Sequence, residues 1–405
     1  MKKVLKFDRL RIVVAFAVMA TTVVASVAAP SGVDAFYVWQ QLWSKNVISA
    51  VCEEPSTTMY PLVAVVPPKG KSSLVNIPWG RLSVDSHQYV PVVRIPLNAF
   101  RRWDLVDELG EITSRLRSKM APHKLREIQF DLDCPESRLG EYLALVKNYR
   151  NKFPGLRLSI TALPSHLKHK VFRELAASVD YYVIQVHGIE IPKTLDIKVE
   201  LLNMQTAEKA LRCAEEIKLP YRVALPCYAY ELNFDPDSGD FMFLTAEKTA
   251  KQYQTTKLRA VALNRDLIEL QKSIANLDYA CGVIWFRLPV VGDRLCLPRK
   301  DLAAIQAGIP PKPKVECRIV PISDSTIELE LYNDNEIHFC EAVLKLKWPQ
   351  QKRVWDVYRN MRTKSISGQL PTEIIVPVPL PGEKIKIGWF EVATNSHPQI
   401  KVILK

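Results

Sequence analysis

Residues 127–135 read Glu-Ile-Gln-Phe-Asp-Leu-Asp-Cys-Pro, with Gln129, Asp131 and Asp133 alternating with Ile128, Phe130 and Leu132. In a β-strand, side chains two positions apart point the same way. The three polar groups therefore share one face and the apolar ones the other. Two carboxylates brought close together in a buried place repel each other, so one carboxyl rises in pKa. A raised carboxylic acid beside an ionised one is the equipment of glycosidic-bond hydrolysis. Asp133 is then the candidate general acid, and Asp131 tunes it or stabilises positive charge on a sugar or a substrate-derived intermediate. A structural reading stays open beside this: Asp133 caps the turn toward Ser137, and Asp131 holds a backbone loop. The distance to a third acid, Glu231 or Asp293, would decide the mechanism. Two carboxyls ~5–5.5 Å apart suit retention and ~6.5–9.5 Å inversion, while same-face acids with none opposite suit substrate assistance or no catalysis.

Other strand ends carry groups suited to sugars, which offer C–H faces to aromatic rings and hydroxyls to amides and charges. Gln185 and His187 stand two apart, as do Tyr228 and Tyr230, and Trp285 and Arg287; Trp39 lies in the first apolar run. With Gln129 these form the expected substrate-binding set. Taken singly, Trp39 and Trp285 also suit a core and His187 a satisfied hydrogen bonder. No G-x-S-x-G elbow, P-loop or dinucleotide fingerprint occurs. No two of the eight cysteines are spaced CxxC, and no metal or cofactor is expected. His166 and His169 are assigned to the surface. Cys281 with Cys296 and Cys317 with Cys340 are among the nearest cysteines for disulfides in an oxidising compartment.

Eight strand-like runs place these residues: 36–43, 62–66, 90–95, 127–132, 156–162, 181–186, 221–225 and 282–288. Most are continuously apolar, as strands covered on both faces are. Helical spacing marks 104–120, 137–153, 167–177, 206–217, 260–274 and 301–307. Such alternation predicts parallel strands with crossover helices, a (β/α)8 TIM-like barrel whose site lies at the C-terminal strand ends. No helix separates the second and third runs, and 196–202 reads as an extra strand, so an irregular barrel or a doubly wound sheet stays open. After the stiff stretch Gly308–Pro313 the pattern changes to short strands at 317–320, 326–332, 342–347, 373–378 and 385–391, a small all-β, sandwich-like domain. The expected boundaries are 1–29, 30–309 and 310–405.

Residues 1–29 run from basic (Lys2, Lys3, Lys6, Arg9, Arg11) through an uncharged stretch from Ile12 to small residues at Ala28 and Ala29. That is the order of a secretory signal peptide. The alternative is a retained anchor, since an apolar run of ~18 residues just spans a bilayer. Periplasmic or extracellular placement follows, with envelope association if the segment stays. The formal charge of +12 is scattered and does not interleave with aromatics, which argues against a nucleic-acid partner.

The acidic i, i+2, i+4 ladder resembles the D-x-D-x-E ladder of family 18 chitinases, with Gln129 in place of the first Asp and Asp133 in place of the acidic Glu. Phe36–Gln40, Gln129–Pro135, Ile160–Ser165, Val179–His187, Ala224–Tyr230 and Trp285–Pro289 together are similar to the DUF3142 proteins, an uncharacterised bacterial group in the glycoside-hydrolase barrel clan. The resemblance implies the barrel and a polysaccharide or oligosaccharide partner. It implies no activity of its own. Two functions follow as expectations: a glycoside-hydrolase-like protein acting on an extracytoplasmic polysaccharide, or a non-catalytic carbohydrate-binding or envelope scaffold protein. The oligomeric state is left open.

Overall fold

The computed structural model describes residues 34–404, apart from 56, 83–86, 122, 194–198, 247–254, 312–314, 334–340, 350–353, 359–360, 366–368, 380–382 and 394–396. The N-terminal basic and apolar segment, Cys340 and the first three residues of the 196–202 run lie outside the described residues.

Eight parallel strands close into a barrel: β1 (Ala35–Val38), β2 (Thr57–Val65), β4 (Val92–Arg94), β5 (Glu127–Asp131), β6 (Arg157–Ala162), β7 (Tyr181–Gln185), β8 (Tyr221–Pro226) and β12 (Ala280–Phe286), with β12 pairing back on β1. The short β3 (His87–Tyr89) runs beside β2. Helices α1 (Lys45–Glu53), α2 (Leu105–Lys119), α3 (Leu139–Lys152), α4 (Lys170–Ala177), α5 (Met204–Ile217), α6 (Asn264–Ile274) and α7 (Arg299–Gln306) follow seven of the barrel strands. The link from β2 to β4 carries no α-helix among its described residues, as its prolines and glycines predict. The TIM-like barrel is thus present in the order read from the sequence.

Three local expectations change. The run 36–43 is too long: the strand stops at Val38, and Ser44, whose side chain accepts from the Val47 N–H, starts α1. The front of 260–274 is strand. β9 (Ala229–Phe234), β10 (Phe241–Thr245) and β11 (Thr256–Val261) form an antiparallel sheet inserted after β8. His166 is buried, with Nε2 2.7 Å from the Cys134 carbonyl and Nδ1 accepting from the Leu163 N–H.

The barrel has two packing layers. The helices cover an outer core that includes Phe36, Phe130, Tyr149 and Trp285. The lumen holds Tyr37, Tyr60, Tyr181, Val183 and Ile284 around a polar stack. In that stack Tyr37 donates to Gln129 (2.7 Å), Gln129 to Ser159 (3.2 Å) and Ser159 to Glu127 (3.2 Å); Tyr181 also donates to Glu127, and Arg222 donates to Tyr60 (3.0 Å). Hydrogen bonding offsets the cost of burying these groups and fills the lumen below the mouth.

Beyond α7, two four-stranded antiparallel sheets enclose a core of Ile327, Leu329, Leu344, Ile374, Ile387 and Phe390. One contains β13 (Val315–Ser323), β14 (Thr326–Asn333), β16 (Trp355–Val357) and β19 (Lys384–Glu391). The other contains β15 (Glu341–Lys347), β17 (Arg362–Lys364), β18 (Glu373–Pro377) and β20 (Gln399–Leu404). The all-β sandwich is present, with three strands that the sequence pattern missed: β16, β17 and β20.

Candidate functional site

A cavity of about 670 Å³ opens at the C-terminal strand ends. Asp131 closes β5 inside it, and its carboxylate is almost fully covered: Arg94 donates to Oδ2 (2.7 Å), Thr161 (2.9 Å) and Gln185 (3.1 Å) donate to Oδ1. Asp133, two residues on, keeps its side chain 46% exposed to the cavity. The second arm of the Arg94 fork reaches it at 2.6 Å. One guanidinium thus joins the two acids. Burial raises the Asp131 carboxyl, and the Asp133 charge adds to the rise, against the opposing pull of Arg94 and Thr161. Burial lowers Arg94, but the two carboxylates outweigh it and its pKa ends above the ordinary arginine range.

Asp133 makes no helix cap: the turn that follows begins after Pro135 and has no side-chain capping bond. The expected third acids are both spoken for. Glu231 is fully buried against Lys257 (3.0 Å) and Arg259 (3.6 Å), and Asp293 pairs with Arg287 at 2.6 Å. Neither lines the cavity, so no carboxylate faces the Asp131–Asp133 pair across it among the described lining residues.

The other walls are aromatic and amide. Trp39, Gln185, His187, Tyr228 and Tyr230 line the cavity as their spacing predicts. Trp39 packs edge-on to Tyr37 (5.9 Å between centroids), and Tyr228 edge-on to Tyr230 (5.0 Å). Burial depresses His187 to about 4, so its ring is neutral at pH 7, and its Nε2 has no hydrogen-bond partner among the described residues. Gln129 lies one layer lower, bonded to Tyr37 and Ser159, and supports the floor.

Trp285 and Arg287 depart from expectation. Trp285 is fully buried in the outer core, and Arg287 is buried against Asp293. Phe286, between them, faces the lumen and meets Tyr37, Trp39, His187 and Tyr228. The β12 pattern therefore points the opposite way from the one assigned. Arg94 and Gln41 also line the cavity and were missed. Arg94 had a legible mark: a lone charge in phase with Val90 and Val92 at the end of an apolar run. A groove of about 720 Å³ shares Leu163, Gln185, His187 and Ile189 with the cavity and continues it toward Asn203 at the start of α5.

The family profile described as "Domain of unknown function (DUF3142)" matches residues 85–291, just over half of the 405-residue chain. The chain belongs to the DUF3142 family. Among solved structures, the Bacillus cereus spore cortex-lytic enzyme SleL is similar in fold at 11% identity, with a TM-score of 0.50 over 69% of this chain and 75% of that one. A chitinase from Bacteroides thetaiotaomicron (12%, TM-score 0.44, 64% and 90%) and chitinase ChiA74 from Bacillus thuringiensis (8%, TM-score 0.43, 93% and 100%) are further neighbours. No protein of curated function matches the sequence. The likeness to SleL is one of fold, an eight-stranded parallel barrel.

Proposed function

We propose that this DUF3142 protein acts on an oligosaccharide segment of an extracytoplasmic polysaccharide, bound across the barrel mouth, with Asp133 as proton donor to the glycosidic oxygen. The observation that carries the reading is the position of Asp133: an open carboxylate beside a buried one, in a cavity walled by Trp39, Tyr228, Tyr230 and Phe286. Rings suit sugar faces, and Gln185 and Gln41 suit hydroxyls. The groove toward Asn203 gives room for several sugar units. With no acid opposite among the described lining residues, the attacking group comes from the substrate, and Asp131, fixed by three donors, holds the developing positive charge. Residues 1–29 direct export, by cleavage or as an anchor; the N-terminal sequence of the mature protein tests this.

Arg94 favours a second reading, sugar binding without turnover, because a guanidinium in ion-paired contact competes for the oxygens of the donor acid. Reducing-end release from a polysaccharide panel separates the two. Hydrolysis predicts turnover that Asp133→Asn lowers by at least ~100-fold with affinity retained. Binding to a glycan with no product from the wild type establishes the second reading, and absence of both binding and turnover over the panel overturns both.

A further inference from the structure

Among the described residues seven cysteines are free thiols. Cys281 with Cys296, among the nearest pairings in sequence, is not the one that the fold assembles: the Cys281 thiol turns to the Tyr279 carbonyl at 3.6 Å. The thiols of Cys227 and Cys296 instead converge on one acceptor, the Arg287 carbonyl oxygen, at 3.0 and 3.6 Å. Their main chains run antiparallel. Leu297 N–H donates to the Cys227 carbonyl (2.8 Å), Ala229 N–H to the Leu295 carbonyl (2.7 Å), and Tyr228 is bridged to Cys296. Both side chains are buried.

We propose that Cys227 and Cys296 form a disulfide that ties the end of β8 to the loop leading into α7, behind the Tyr228 wall of the cleft. Two thiols that converge on one carbonyl oxygen from neighbouring backbone segments can reach bonding geometry by side-chain rotation. The chemistry is thiol–disulfide exchange. The thiolate of one cysteine attacks an oxidised donor disulfide, and the other cysteine's thiolate then displaces the donor thiol. The new S–S bond forms with loss of two protons and two electrons, and the donor leaves as a dithiol or as two thiols. Burial holds the Cys296 thiol protonated in the folded chain, and thiols are poor nucleophiles. The exchange therefore belongs to folding, while the pair is open to solvent. The bond encloses the chain from Cys227 to Cys296, including the inserted sheet and β12, and fixes the backbone on both sides of Tyr228.

The export reading bears on the oxidant in the cell, while the convergence of the two thiols is independent of it. The test therefore supplies the oxidant directly. Full-length protein is denatured, reduced, and refolded in a mixture of reduced and oxidised glutathione. It is then alkylated in denaturant without reductant, digested and mapped by mass spectrometry. The expected result is one linked peptide pair, Cys227 with Cys296, the other cysteines carrying the alkyl group. The oxidised wild type should melt about 5–10 °C above the same protein refolded with reductant. Cys227→Ser and Cys296→Ser should each abolish the link and the difference. Complete alkylation of both cysteines in refolded wild type, or a link from either one to a different cysteine, overturns the proposal whether or not the serine variants fold.

Discussion

At the residue scale, Arg94 decides how two acids are tolerated in one cavity. Its fork reaches Asp131 at 2.7 Å and Asp133 at 2.6 Å, and the Asp131 side chain is only 2% exposed. Arg94→Met leaves Asp131 buried with its neutral donors alone, and loss of one partner of a buried ion pair is costly. The expected loss is about 3 kcal/mol in urea unfolding. Asp133→Asn removes a partly exposed carboxylate and should stay within about 1 kcal/mol. Equal losses would show that the two acids are held alike. His187 sets a pH response. Its folded value near 4 lies below the ordinary 6.5, so between these values the unfolded chain binds a proton that the native chain does not. Stability is therefore full above about pH 6.5 and falls as pH drops toward 4. The ring is partly open to the cleft, so we expect a loss of about 2 kcal/mol, less than the full shift. His187→Gln should flatten this limb of a melting-temperature profile measured from pH 7 to 4; an unchanged slope would assign it to other groups.

At the element scale, β5 and β12 show what could be read from the chain. Both were found as strands, because barrel strands are apolar runs of recognisable length. Inward and outward faces were assigned correctly only in β5, where Gln129 and Asp131 mark one face as polar. β12 is apolar on both faces, so alternation carries no sign. Its pairing with β8 shifts between Ala280 and Val283, which breaks any count from the strand start. The sequence reading therefore puts Trp285 in the cleft, whereas the structure buries it in the outer core and places Phe286 in the cleft. The inserted sheet was illegible for a related reason: Phe241–Thr245 and Thr256–Val261 acquire their meaning only by pairing with Ala229–Phe234. The exchange in β12 yields a contrast between neighbours. Trp285→Ala empties the outer core and should cost about 3–5 kcal/mol. Phe286→Ala removes a ring from the cleft and should weaken oligosaccharide affinity about tenfold, read by calorimetry. A larger effect of Trp285→Ala than of Phe286→Ala on affinity, in protein that remains folded, would restore the opposite facing.

At the scale of the whole molecule, the sandwich is fastened to the back of the cleft wall. Glu383, just before β19, accepts from Arg259 of β11 at 2.5 Å and from Arg294 of the loop after β12 at 3.3 Å. Arg259 in turn lies 3.6 Å from Glu231, which is buried in β9 one residue after the cleft-lining Tyr230. A chain of alternating charge thus runs from the all-β domain to a residue adjoining the site. These groups are only partly exposed, so they are screened less than surface pairs, yet they remain within reach of salt. Glu383→Gln leaves two arginines facing each other without their shared anion. The expected cost is about 1–2 kcal/mol, seen as a melting temperature lowered by about 2–6 °C. The difference from wild type should shrink as ionic strength rises, because salt already weakens the wild-type contact. If Glu383 also steadies the Tyr230 wall, the variant's oligosaccharide affinity falls in parallel. A lowered melting temperature with unchanged affinity would limit Glu383 to joining the domains, and a salt-independent difference would place its contribution in packing rather than charge.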